Sequence, residues 1–204
     1  MNPSGVVVRD LAPELIDDYL TFFDKDAFAD FPWWSGCYCT FYRDPSHDGD
    51  SSPERIAVRR PKAIVLVRGG LQRGHLAYLD GRVVGWCNAD VRDRYAAPRG
   101  YAKAFEGDGS RIGAIFCFVV AAPHRGQGVA TALLDAACDG FRRLGLVAAE
   151  GYPPTKPPTG PYAAETPWSA HNYHGPLSMY LKAGFHIHRE MDRFAVVRKD
   201  LASR

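Results

Sequence analysis

The clearest chemical signal in the chain is the run Pro123-His124-Arg125-Gly126-Gln127-Gly128-Val129-Ala130. It follows an apolar stretch and opens an amphipathic one, so it stands where a strand hands over to a helix. A helix start presents unpaired N–H groups and the positive end of the aligned peptide dipoles, which suits a phosphate. Gly126 and Gly128 let the main chain approach such a ligand closely, and Arg125 adds a positive charge. On spacing alone three readings compete. A P-loop needs a Lys-Ser/Thr pair after the glycines, and none follows. A dinucleotide fingerprint finds two of its three glycines, with Thr131 where the third belongs. A plain tight turn with an exposed arginine accounts for the same letters.

A second group of residues invites metal chemistry. Cys37-x-Cys39 with His47 nearby suggests zinc, but zinc sites usually pair two knuckles, and no second pair exists. Nothing basic adjoins either cysteine, so neither reads as an activated thiol. No metal is expected. Trp33, Trp34 and Tyr38 surround the cysteines, and the segment reads as a pocket wall or as packing.

The elements that must hold these residues follow from pattern. Val6 to Arg9 reads as a first strand, and Asp10 can cap a helix over about Pro13 to Phe23. Phe28 to Tyr42 is aromatic and irregular. Glu54 to Arg68 looks helical, broken or kinked at Pro61. His75 to Leu79, Asp80-Gly81 and Arg82 to Ala89 make a hairpin signal. Ile112 to Ala121 reads as a strand buried on both faces, Gly128 to Leu144 as a helix and Leu146 to Glu150 as the next strand. A long loop rich in proline spans 151–176. Pro176 to Ala183 makes a short helix before strands at Phe185 to His188 and Phe194 to Arg198. The order predicts a mixed α/β fold in a single domain, which suits 204 residues.

Composition narrows the partners. The 25 basic and 23 acidic residues leave a net charge of +2, so no nucleic-acid backbone is an expected ligand. No run approaches the roughly 18 apolar residues of a membrane span, and no membrane partner is expected. Met1 to Asp10 lacks a basic start followed by an apolar run, and the five cysteines read as reduced thiols. Both point to the cytoplasm.

Arg125-x-x-Gly128-x-Ala130 after an apolar strand resembles the acyl-CoA pyrophosphate loop of the GNAT acetyltransferases. The resemblance runs from about His75 to Leu201. It takes in Leu76-Ala77-Tyr78-Leu79-Asp80-Gly81, Val84-Gly85-Trp86-Cys87, Cys117-Phe118-Val119-Val120, Glu150-Gly151-Tyr152-Pro153, Ser178-Met179-Tyr180 and Ala183-Gly184-Phe185. It implies one domain over 1–204, with 75–204 as the acyl-CoA-binding core and 1–74 on the acceptor side. It further implies a mostly antiparallel sheet splayed between its fourth and fifth strands, with acetyl-CoA as donor. Main-chain groups at Phe118 and Val120, flanking Val119, would pair with pantetheine, and the Phe118 N–H would face the thioester oxygen. The loop Arg125, Gly126, Gln127, Gly128, Val129 and Ala130 would hold the pyrophosphate.

The resemblance also assigns the proton chemistry. Tyr180 matches a family tyrosine that can protonate the departing thiolate; Tyr173 stands where many members carry Asn. Some members place a glutamate on the fourth strand, where this chain has Ala114. In its place the sequence offers Glu150 at the end of the fifth strand, either a partly desolvated base or an acceptor-binding or structural carboxylate, with His171 and His174 as alternative bases. Trp33, Trp34, Tyr38, Glu150, Tyr152 and His174 would line the acceptor site, suiting an apolar or ring-bearing amine. The implied activity is N-acetylation of a small-molecule amine. A protein acetyltransferase and a non-catalytic acyl-CoA sensor are the other readings, and a homodimer is expected by analogy.

Overall fold

Asp80 and Gly81 both take positive φ, 49° and 77°, which is the turn that suits the twist of a two-residue hairpin. It joins β2 (Gly74–Leu79) to β3 (Arg82–Val91). In this computed structural model residues 5–43, 53–96, 101–157 and 172–201 are described. The remaining strands are β1 (Val7–Asp10), β4 (Ile112–Val120), β5 (Ala148–Gly151), β6 (His186–Glu190) and β7 (Ala195–Asp200). They form one open sheet in the order β1-β2-β3-β4-β5-β7-β6. Every neighbouring pair is antiparallel except β4 and β5.

The sheet buries both faces. On one lies α3 (Val129–Arg143), whose Val129, Leu133, Ala137 and Phe141 meet Ile115, Phe118 and Val197. Gly85 allows that approach, since a Cβ there would come within 2.9 Å of Val129. The other face carries α1 (Ile16–Thr21), continued by a π-helical turn at Phe22–Asp26, and α2 (Pro53–Arg68). Tyr19, Phe22, Phe23, Ala63 and Val67 pack there on Trp86, Phe116 and Val119. α2 runs through Pro61 instead of stopping there. Ala57, whose carbonyl loses its partner to the proline, and Pro61 itself are both exposed, so water can satisfy that oxygen.

Two irregularities shape the centre. Asn88 pairs with Cys117 but Ala89 pairs with Ile115, so β4 carries an extra residue. The bulge puts Phe116 and Cys117 on the same face as Val119, where alternation would have split them. Second, β5 pairs with β4 only from Ile112↔Ala148 to Ile115↔Gly151, while β4 continues to Val120. The two strands part at Gly151. α4 (Leu177–Lys182) packs its buried Tyr180 beside that gap.

Candidate active site

The gap exposes main chain. Val119 pairs with Trp86 on β3, and the Ala121 N–H donates to the Val84 carbonyl at 3.0 Å. Backbone groups alternate along a strand, so those of Phe118 and Val120 turn the other way, toward the gap. The Phe118 N–H donates there to the Tyr173 carbonyl at 2.6 Å. The Val120 carbonyl accepts from Arg125 Nε at 2.8 Å.

Beyond Val120 the chain makes a 3-10 turn at Ala122–His124 and enters α3 through Gly126 and Gly128, with φ of 74° and 84°. These left-handed positions favour glycine. Gly128 is the residue before the first turn of α3, so the free amides of that turn face outward past a residue with no side chain. Gln127 braces the loop by donating to the Pro123 carbonyl at 2.8 Å. Arg125 is engaged elsewhere: its guanidinium pairs with both Asp30 oxygens, at 2.5 and 3.0 Å. The arginine in turn holds the Asp30 carboxyl below the usual carboxylate range. The Arg125 side chain therefore clasps the N-terminal segment onto the loop, and the amides at the α3 start are the groups left to receive an anion.

Tyr180 is fully buried, and burial pushes its phenol well above the ordinary tyrosine value. It thus carries its proton throughout the neutral range. Its hydroxyl donates to the His174 carbonyl at 2.8 Å, and its ring sits edge-on to Phe118 and Phe185.

Glu150 is fully buried, and its carboxylate is held on both oxygens. Arg198 donates to Oε1 from Nε and Nη2 at 3.1 and 2.5 Å. Arg92 Nη1 and the Tyr152 hydroxyl donate to Oε2 at 3.3 and 3.1 Å. Both oxygens are committed to bonds inside the protein. Arg92 itself is fixed to the Gly107 carbonyl at 2.7 Å. Neither arginine stood out in the sequence, because each lies far along the chain from Glu150 and belongs to no motif.

Tyr152 lies flat on Phe116, with ring centroids 4.6 Å apart, and Phe116 stacks on Tyr42 at 4.4 Å. Tyr101, Phe105 and Phe194 complete this aromatic face. His174 joins it, 3% exposed, with Nε2 2.8 Å from the Tyr101 oxygen. Its Nδ1 is buried without a hydrogen-bond partner. Burial lowers its pKa to about 3, so the ring is neutral. Trp34 reaches the face through Tyr173, at 5.4 Å between rings. Tyr38 does not: it packs on Phe23 in the N-terminal core and its hydroxyl donates to Asp24. His171 and the Trp33 side chain lie outside the described residues. Cys39 is buried, its sulfur accepting from Asn88 Nδ2 at 3.2 Å. Among the described residues no group of three His, Cys, Asp or Glu side chains is placed to hold a metal.

An open sheet with one parallel pair, parting beside a glycine-bearing helix start, defines a class. The sequence matches the acetyltransferase (GNAT) family over residues 13–157, and the chain belongs to that family of acyl-CoA-dependent acetyltransferases. Solved structures share the fold. A GCN5-related N-acetyltransferase from Kribbella flavida is 18% identical, with a TM-score of 0.55 over 98% of this chain and 99% of its own. YncA of Salmonella typhimurium, solved with acetyl-CoA, is 12% identical, with a TM-score of 0.54 over 98% and 96%. PaiA N-acetyltransferase from Thermoplasma acidophilum, in complex with coenzyme A, is 14% identical, with a TM-score of 0.52 over 96% and 99%. No curated protein sequence matches the chain. Among the described residues no helix is long and apolar enough to cross a membrane.

Proposed function

We propose that this acetyltransferase moves an acetyl group from acetyl-CoA to the amine of a small molecule by direct attack. The observation that carries the reading is the convergence at one gap of the α3 start, the Phe118 main chain and the Tyr180 hydroxyl. The pyrophosphate would lie on the amides between Arg125 and Ala130, and pantetheine along Phe118 and Val120. The neutral amine nitrogen attacks the thioester carbon. The carbonyl oxygen becomes an oxyanion, held by the Phe118 N–H. Collapse breaks the C–S bond, and the thiolate takes the Tyr180 proton. The nitrogen sheds its surplus proton to water, from which the tyrosine recovers its own.

Glu150 is a positioning carboxylate in this reading. It ties Arg92, Arg198 and Tyr152 together behind the aromatic face. The enclosed setting of Tyr42, Tyr101, Phe116 and Tyr152 favours a small, ring-bearing amine over a protein chain. A cytoplasmic setting supplies the donor. The test is mass-spectrometric detection of acetylated products from an amine library and, in parallel, from peptides. Products from peptides alone would reverse the assignment of acceptor. Tight acetyl-CoA binding with no product from either would favour a sensor.

A further inference from the structure

Both donors that this chemistry needs are already occupied, and by consecutive carbonyls. The Phe118 N–H gives its hydrogen to Tyr173, and the Tyr180 O–H gives its hydrogen to His174. The turn Asn172–Gly175 that supplies these oxygens is fitted to the site. A Cβ on Gly175 would come within 2.7 Å of Met179 and 3.2 Å of the rings of Phe118 and Tyr180. Gly175 also holds a φ of +81°, where a side chain is strained. The turn closes on itself through the Gly175 N–H, which donates to the Asn172 carbonyl at 2.8 Å. The two side chains of the turn follow suit. Tyr173 packs on Trp34, and the His174 ring fills the space between Tyr101, Tyr42 and Phe116.

We propose that this turn is a built-in occupant of the acyl site, displaced by the thioester of acetyl-CoA before the acceptor can enter. The proposal rests on the reading that Phe118 and Tyr180 serve the thioester. The Phe118 amide has one hydrogen, which cannot serve the Tyr173 carbonyl and an acyl carbonyl at once. The exchange trades one N–H···O=C bond for another, so its main cost is moving the turn. His174 lies between the two lost anchors. Its departure would uncover the face of Tyr42, Tyr101 and Phe116. Donor would therefore bind first, in two steps: docking on the α3 amides, then opening of the turn.

The test is stopped-flow tryptophan fluorescence with the full chain, since Trp34 rests on Tyr173. With acetyl-CoA the observed rate should rise and then level off at the opening rate. Free coenzyme A, which has no acyl oxygen, should dock without the slow phase. Tyr180→Phe removes one anchor and should raise the plateau about five-fold, the worth of one net hydrogen bond. Gly175→Ala should raise it too. If that variant does not fold, the wild-type amide of Phe118 still reports. Its ¹⁵N–¹H resonance should shift on saturation with acetyl-CoA and much less with coenzyme A. A rate that stays linear in acetyl-CoA, with that resonance unmoved, would overturn the proposal alone. Failure of both ligands to bind in calorimetry would remove the functional reading and the proposal together.

Discussion

The phenol ring of Tyr180 rests on the bare Cα of Gly151. A methyl group there would come within 2.3 Å of its Cε1 and 2.7 Å of its hydroxyl oxygen. Gly151 is also the last residue of β5 paired with β4, so one glycine both ends the pairing and seats the proposed acid. Gly151→Ala should push the ring out of place. Overpacking of this kind costs about 1–3 kcal/mol. The expected result is a folded protein with a lowered melting temperature and a turnover close to that of Tyr180→Phe. A wild-type turnover in Gly151→Ala would show that the position of the hydroxyl does not matter.

Tyr180→Phe keeps the ring and removes one hydroxyl. If that group protonates the thiolate, the loss falls on the transition state and appears in kcat. General acids typically contribute about 100- to 10,000-fold. Equilibrium binding of acetyl-CoA, read by calorimetry, should change far less. An unchanged kcat would leave Tyr180 as a packing residue.

Gly128→Asp should abolish coenzyme A binding. The residue holds a φ of 84° just before the α3 start, where a side chain is strained. A carboxylate there would also face the pyrophosphate. Cys39→Ser, buried away from that loop, should bind normally. Acetyl-CoA at 100 times its Kd should stabilise the wild type by about 2.7 kcal/mol, and the Asp variant not at all. Equal thermal shifts in both proteins would refute the loop assignment.

What the sequence reveals is what lies close together along the chain. Asp80-Gly81 specifies its turn, and Gly126 and Gly128 mark the helix start, because two or three residues decide each. The Tyr180 to Phe185 segment is legible for the same reason. The bulge at Phe116 is not, because it depends on how β4 registers against Asn88 and Ala89. Glu150 reads as a desolvated carboxylate until the fold brings Arg92 and Arg198 to it. The carbonyls of Tyr173 and His174 are least legible of all, since main-chain oxygens carry no residue signature.

Asp10 gives a pH test remote from the site. The hydrogen bond and charge of His75, then the hydrogen bond and charge of Arg143, outweigh partial burial and hold its carboxyl down to about 2 from 3.8. A depressed carboxyl contributes stability above its unfolded value, and loses it as pH falls through the folded one. The side chain is 63% exposed, so solvent screening keeps the contribution under about 1 kcal/mol. Asp10→Asn should melt slightly below wild type at pH 5, and the gap should close between about pH 4 and 2. A constant gap across that range would assign the effect to packing.

Glu150→Gln separates the two roles open to that residue. The substitution keeps the shape and removes the charge. Arg92 is 1% exposed in its side chain and would be left beside Arg198 with no carboxylate to balance them. Breaking a buried ion pair typically costs about 3–5 kcal/mol. In a chain of 204 residues that corresponds to a melting temperature lower by roughly 6–20 °C. A positioning carboxylate predicts this loss of stability, with turnover falling by a similar factor at every pH. A base predicts the same loss of stability, because the ion pairs break either way. The rate would instead fall most where the wild-type carboxylate had been taking protons, so the pH profile would change shape. Rate profiles on the variant distinguish the two. His174→Gln is the companion variant, because its buried imidazole is the other side chain on this face that the sequence offers as a base. A changed profile in His174→Gln with an unchanged one in Glu150→Gln would pass the base role to the histidine.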